Sequence, residues 1–367
     1  MNNIRPIRLA TVFSGIGAVE QALLKLNIDN EIVFACDTGE RYIDVDFEKV
    51  KAEIEKLDEN EKQKYIRKVY DSTKKHNYVK DSYFANYDID ESRWYDDIRF
   101  INGNLYKNKV DIFVGGSPCQ SFSIIGKRAG LEDARGTLFY DYARLIKEIE
   151  PKVFIYENVP GMISHDNGNT WKVIKEVFES LKYKVFYYVL NAVDYGIPQD
   201  RKRLFVIGFK DSNIIFKAPD KVKLDKTAFD YLESEPVLTR HYLGKKGFEF
   251  VTNPKYKNRA RVNTKIIQTQ KANQQFNWNG DFVFVPLEKI KNNKEVMNRA
   301  YIGEWNGQVG AIRQLTYREC IRLMGFSDNY KIVVPNVPAY RQAGNSIVVN
   351  VLEAILKEIM KVVKFDD

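Results

Sequence analysis

Three kinds of side chain in this 367-residue sequence sit where they could attack, grip and polarise a planar substrate: Cys119, Glu157, and the arginines Arg201 and Arg203. Cys119 follows the apolar residues Val110, Ile112, Phe113 and Val114 and the turn Gly115-Gly116-Ser117-Pro118. Two glycines let the backbone turn tightly and approach a ligand, and Pro118 fixes the direction from which the thiol emerges. A free cysteine is most often a small buried hydrophobe. This one stands in a polar, glycine-rich turn between Ser117 and Gln120, which favours a nucleophile. Glu157 ends a second apolar run, residues 153–156, and an acid at the carboxyl end of a strand in an α/β fold points into the ligand crevice. Its alternative is a helix cap. Arg201 and Arg203 lead into a further strand, where alternation puts both on one side. Taken alone, two arginines are surface charges.

The elements that must position these groups alternate strand and helix. Residues 7–13 read as a strand, 14–17 as a glycine turn and 18–26 as a helix, the first unit of a doubly wound, mostly parallel α/β sheet. A second strand, residues 31–35, ends at Asp37, twenty residues after Gly17, where an acid can accept both hydroxyls of a ribose. The turn has Gly15 and Gly17, but Glu20 stands where a dinucleotide fingerprint has its third glycine, and an acid there would repel a pyrophosphate. A cofactor with a ribose, no phosphate and a cationic centre fits better, namely S-adenosylmethionine. Helix 137–149, strand 153–156, helix 170–181 and strands 184–190 and 203–209 extend the parallel sheet. Residues 313–324 read as helix, with Cys320 packing inside, and Val348, Leu352, Ile355, Ile359 and Val362 form a core-facing stripe in a final helix.

Two segments interrupt the alternation. Residues 40–93 are lysine-rich and charged and read as one or two solvated helices decorating the surface. From 211 to 310 the periodicity fades. Within it, residues 240–271 hold nine Lys or Arg against one acid, Glu249, and so carry a charge equal to the +8 of the whole chain. Either a solvated loop or a nucleic-acid footprint has this pattern; the interleaved aromatic and amide side chains fit the second. The expected division is a catalytic and cofactor-binding domain over 1–210 and 338–367, and a smaller, irregular target-recognition domain over 211–337.

Composition excludes several classes. Hydrophobic residues make up 44% and charged residues 29%, as in soluble globular proteins. No apolar run is long enough to cross a bilayer, and the first ten residues lack the core of a signal peptide, so a cytoplasmic location is expected. Three cysteines and three histidines, all dispersed, suggest neither a disulfide framework nor a metal site.

The ordered set TVFSGIG, ACD, GGSPCQSFS, YENVPGM, QDRKRLFVIGF, RQLTYRECIRLMGF and QAGNSIVVNVL resembles the DNA cytosine carbon-5 methyltransferases of bacterial and phage restriction-modification type. The likeness covers both ends and most of the middle. It implies a class I S-adenosylmethionine-dependent methyltransferase fold of Rossmann-like form, with Cys119 as nucleophile and Glu157 on the cytosine ring nitrogen and amino group. Arg203 would hold the base carbonyl, with Arg201 beside it. The cofactor would be lined by Phe13, Ser14, Gly15, Gly17, Pro118 and Leu138, with Asp37 on the ribose, Asp97 and Ile98 flanking the adenine, and Asn345 completing the site. The loop after Cys119 would face DNA through Gln120, Ser123, Lys127, Arg128 and Arg135. In the recognition domain the candidate DNA contacts are Arg259, Arg261, Gln268, Thr269 and Gln270, with Asn273 and Gln274. The resemblance further implies S-adenosylmethionine without metal, double-stranded DNA as partner, a monomer near the bacterial nucleoid, and a cognate endonuclease acting on the same site without contact.

This sequence departs from the family in having Asp37 where Glu is commoner, and in the length of the 40–93 insertion. Three rival functions remain at this point. An RNA methyltransferase on the same fold would have a smaller variable region, a silent DNA-binding regulator need not keep Cys119, Glu157 and Arg203 together, and a nicotinamide oxidoreductase conflicts with Glu20.

Overall fold

In the computed structural model, residues 5–117, 138–273 and 276–365 are described. Elements in chain order are β1 Ile7–Val12, α1 Ala18–Lys25, β2 Asn30–Cys36, α2 Phe47–Ile54, α3 Glu59–Asp71, α4 Tyr78–Asn86, β3 Trp94–Tyr95, β4 Ile112–Gly115, α5 Leu138–Ile149, β5 Val153–Asn158, α6 Asn169–Ser180, β6 Lys184–Asn191, β7 Gln199–Asp200 and β8 Lys202–Phe209. They continue with α7 Lys245–Thr252, β9 Ala260–Val262, β10 Ile267–Gln268, β11 Gly280–Pro286, α8 Lys294–Arg299, β12 Gly303–Trp305, β13 Gln308–Gln314, α9 Tyr317–Arg322, α10 Asn336–Asn345 and α11 Val349–Val362. The chain forms two compact units: Met1–Leu190 with Lys202–Asp220 and Leu352–Asp367, and Asn191–Arg201 with Lys221–Val351. These boundaries differ from the expected ones, since residues 191–201 and 338–351 belong to the second unit and 211–220 to the first.

The first unit is built on a seven-stranded sheet of order β3-β2-β1-β4-β5-β8-β6. β1, β2, β3, β4 and β5 run parallel, and β8 is antiparallel to β5, so the expected continuation of a parallel sheet fails at that strand. Strands covered on both faces need apolar residues throughout. β4 is accordingly buried at all four positions, and β1 at five of its six. α5 buries Phe139, Tyr142, Ala143, Leu145, Ile146 and Ile149, and α6 buries Trp171, Ile174, Val177 and Phe178, all against one core. From α11, Leu352, Ile355 and Ile359 are fully buried at the helical spacing expected of them, Leu356 is buried beside them, and Val362 is only half-buried.

The 40–93 insertion holds three helices, and it is not mere surface decoration. Asp46 and Asp58 cap α2 and α3, the second through a reciprocal box with Glu61, and Asn77 caps α4. Val50, Ile54, Ile66 and Tyr70 form one small apolar cluster. Tyr83 and Trp94 form another with Ile32 and Ala35 of β2, which ties the insertion into the sheet.

The second unit contains a four-stranded sheet of order β12-β13-β11-β9, with β9 parallel and β13 antiparallel to β11. Its core is Leu243, Phe248, Val251, Ala260, Phe282, Phe284 and Ile312. The helix expected over 313–324 is shorter. Arg313 lies in β13, where Glu235 and Glu319 neutralise it in the interior, and the helix α9 starts only after the Thr316 cap. Cys320 is buried, as its packing reading requires.

Candidate active site

The end of β4 and the end of β5 are pressed together. A methyl group added at Gly116 would lie 2.7 Å from the Glu157 carbonyl oxygen and 3.1 Å from its Oε2, so only glycine fits beneath this carboxylate. One residue further on, the Ser117 hydroxyl lies 2.7 Å from the Tyr156 hydroxyl. The Asn158 amide donates to the Ser117 carbonyl at 2.9 Å and to the Tyr156 hydroxyl at 3.1 Å, while its Oδ1 accepts from the Val159 N–H. All three side chains are buried, so the polypeptide leaves β4 toward residues 118 and 119 from a fixed point. Sequence reasoning quoted Asn158 but gave it no task; nothing local to the motif says that its amide spans two strands.

Glu157 is paired with Arg203, Nε to Oε1 at 3.0 Å, both side chains being mostly but not wholly buried. Antiparallel register explains the pair. Glu157 stands opposite Phe205, and Arg203, two residues along, is its diagonal neighbour on the same face. Arg201 is not on that face. It precedes β8, is buried, and donates to the carbonyls of Gln270, Gly344 and Ser346 within the second unit. The expected alternation of Arg201 with Arg203 is broken because β8 begins at Lys202, and Arg201 serves to hold backbone together.

Beyond the carboxyl ends of β1, β2 and β3 lies a second set of groups. Phe13, Gly15 and Gly17 all adopt positive φ, which bends the chain sharply between β1 and α1. Ser14 is tied to Cys36 by main-chain and hydroxyl hydrogen bonds. Asp37 accepts from the Gly15 N–H at 3.0 Å and the Gly39 N–H at 2.8 Å. Burial pushes its carboxyl up from the ordinary aspartate value, and the two N–H donors oppose that shift. Asp97 is fully buried and accepts from Tyr70, at 2.7 Å, and from the Arg99 backbone and guanidinium. Ile98 is buried in the main core, and Leu138 packs against it.

This donor set fits a nucleoside with a cationic centre, for a different reason than the sequence suggested. Glu20 is buried: its carboxylate accepts from the Tyr83 hydroxyl at 2.5 Å and from the Thr11 hydroxyl at 3.4 Å, and burial raises its pKa. The carboxylate on the turn is Asp37, which already takes the Gly15 N–H that a pyrophosphate would need.

Other expected site residues fall elsewhere. Pro118, Cys119, Gln120, Ser123, Lys127, Arg128, Arg135 and Gln274 lie outside the described residues. Asn345 ends α10, exposed, in the second unit. Gln270 is buried and donates to the Cys320 carbonyl, so it holds packing in place and does not face solvent. Thr269 donates to the Asp200 carbonyl, and Arg261 is paired with Asp281 at 3.1 Å. Gln268 is half-buried, and Arg259 is exposed over the Phe250 ring, 5.4 Å from its centroid. Among the described residues no group of three or more His, Cys, Asp or Glu could hold a metal ion, and no helix is long and apolar enough to cross a membrane.

The sequence model of one family, described as C-5 cytosine-specific DNA methylase, matches residues 7–361, from the first strand to the last helix. The chain belongs to the C-5 cytosine-specific DNA methylases. Among relatives of this DNA methylase, type II methyltransferase M.HhaI from Haemophilus parahaemolyticus is 37% identical over 253 residues, 68% of this chain and 75% of its own length. Type II methyltransferase M.HpaII from Haemophilus parainfluenzae is 35% identical over 269 residues, 69% of this chain and 72% of its own. Among solved structures the S. pombe Dnmt2 methyltransferase superposes with a TM-score of 0.66 at 18% identity, covering 97% of this chain and 98% of that one. That likeness establishes the mostly parallel methyltransferase fold. The methylase is thus a DNA (cytosine-5-)-methyltransferase of the S-adenosylmethionine-dependent type.

Proposed function

We propose that Cys119 is the nucleophile that adds to carbon 6 of a flipped-out cytosine, with Glu157 at ring nitrogen 3 and the amino group and Arg203 at the carbonyl. The observation that carries this reading is the Glu157–Arg203 pair at 3.0 Å, set directly over Gly116 in the turn that leads to Cys119. Carbon 5 of cytosine is too weak a nucleophile unaided. Thiolate addition at carbon 6 breaks the aromatic system and moves electron density onto carbon 5. A proton passed from the Glu157 carboxyl group to ring nitrogen 3, and hydrogen bonds from Arg203 to the carbonyl oxygen, neutralise the negative charge that addition pushes onto those atoms, and the proton returns to Glu157 when the ring is restored. S-adenosylmethionine, when bound, supplies a methyl group activated by a sulfonium. After carbon 5 has been methylated, loss of its proton with expulsion of the Cys119 thiolate restores the ring.

Phe13, Ser14, Gly15, Gly17, Asp37, Asp97, Ile98, Pro118, Leu138 and Asn345 would hold the cofactor. Asp97 would act through the Ile98 backbone, since Arg99 and Tyr70 occupy its carboxylate. The base must leave the stack at a cost of a few kcal/mol, which protein–phosphate contacts offset. Exposed Lys245, Lys246, Lys255, Lys257, Arg259, Lys265 and Lys271 of the second unit supply cations for that purpose, in support of its role as the target-recognition domain. Gln120, Ser123, Lys127, Arg128 and Arg135 would contact DNA from the catalytic domain. The type II methyltransferase relatives support membership of a restriction-modification system; an endonuclease reading the same site in the bacterial cytoplasm would be its counterpart.

Duplex DNA carrying 5-fluorocytosine at the target site tests the mechanism, because fluorine cannot leave as a proton does. A covalent protein–DNA adduct with the native chain and none with Cys119→Ser is the expected result. Methyl transfer to transfer RNA and none to duplex DNA would overturn the reading.

A further inference from the structure

We propose that the 40–93 insertion is a structural part of the cofactor pocket, with Tyr70, Asn77 and Tyr87 as positioning residues for S-adenosylmethionine. The proposal rests on the assignment of the Gly15–Gly17 turn, Asp37 and Asp97 to the cofactor. Each of those three loops is held by a side chain of the insertion. Tyr87 donates to the Gly17 carbonyl at 2.6 Å and reaches the Ile16 carbonyl at 3.3 Å. Asn77 donates to the Asp37 carbonyl at 3.2 Å. Tyr70 donates to Asp97 at 2.7 Å.

The fit is close enough to dictate glycines on the other side. A methyl group at Gly17 would lie 2.1 Å from the Tyr87 ring, and one at Gly39 would lie 2.1 Å from the Asn77 Oδ1. Arg41 fixes where the insertion leaves the sheet. It donates to the Thr38 carbonyl at 2.9 Å, is ion-paired with Asp96 in the interior and lies over the Tyr70 ring. Three loops that must share one geometry around a nucleoside are thereby each tied to a packed helix of the insertion, one through α3 and two through the ends of α4. Loops free to wander would populate the binding-competent arrangement only part of the time, and apparent affinity falls by that fraction.

Tyr70→Phe, Asn77→Ser and Tyr87→Phe each delete one donor and keep the ring or the helix cap. Titration calorimetry of the full chain with S-adenosylhomocysteine is expected to show dissociation constants raised about five-fold for each variant, the scale of one lost hydrogen bond. The KM for S-adenosylmethionine rises in step, while kcat and duplex-DNA affinity stay at the native values and the stability of the cofactor-free protein falls by no more than one lost hydrogen bond accounts for. Unchanged cofactor affinity in all three variants, with Asp37→Ala strongly weakened, would overturn the brace and leave the pocket assignment standing. Native affinity in Asp37→Ala would overturn the assignment itself, and the brace with it. Parallel loss of midpoint, cofactor affinity and DNA affinity would reduce the three side chains to general structural residues and also overturn the proposal.

Discussion

At the scale of single residues, the site depends on side chains that reach partners a strand away. Glu157→Gln keeps the shape of the side chain and removes its charge. Methyl transfer is expected to fall by roughly 10²- to 10³-fold with S-adenosylhomocysteine binding unchanged, the scale of a lost acid–base group. Radiolabelled methyl transfer beside calorimetry checks the split. Asn158→Ala acts differently, since it leaves the buried Ser117 carbonyl and Tyr156 hydroxyl without this donor. Stability should drop by about 1–3 kcal/mol in a denaturant titration. The turn carrying Cys119 loses its anchor as well, and kcat should fall by about 100-fold, as for a catalytic group displaced by about an ångström.

At the scale of elements, Gly116→Ala tests the apposition of β4 and β5. The new methyl would meet the Glu157 carbonyl, an atom of a central strand that has nowhere to go. Unfolding in denaturant should show a loss of about 1–3 kcal/mol, the usual cost of overpacking. The same elements show what the sequence makes legible. β1, its glycine turn, β4 and β5 could be read directly, because strands buried on both faces are continuous apolar runs. β8 was found but its direction was not, since alternation within a strand says nothing about its neighbour. The sheet of the second unit escaped because β9 and β11 are joined only by pairing over distance. Of the site, Cys119, Glu157 and Arg203 were legible as motifs. Tyr70, Asn77 and Tyr87 were not, because their meaning lies in loops 27 to 71 residues away in the chain.

At the scale of the whole molecule, acid sensitivity has an identifiable source in the second unit. His241 is buried beside Tyr340, and burial, with Arg240 and Arg313 nearby, holds its pKa down to about 4. The unfolded chain takes up the proton at about 6.5, so this residue's contribution is fully present above that pH and is lost as pH falls toward about 4. Native protein should lose about 2 kcal/mol more than His241→Gln between pH 7 and pH 5, by linkage of that depressed pKa. Chemical unfolding of both proteins at the two pH values reads the difference; equal losses would show that His241 is not the source.

The placement of α11 also bears on synthesis. Leu352, Ile355, Leu356 and Ile359 fill the interior of the first unit, yet they leave the ribosome after the entire stretch Lys221–Val351 of the second. At roughly 5–20 residues per second, the rest of the first unit waits on the order of 10 s for this helix. Throughout that interval the apolar surface that α11 will cover is open to solvent and to chaperones. A nascent chain therefore bears Cys119, Glu157 and Arg203 well before the last helix of the unit that holds Glu157 and Arg203 has been made.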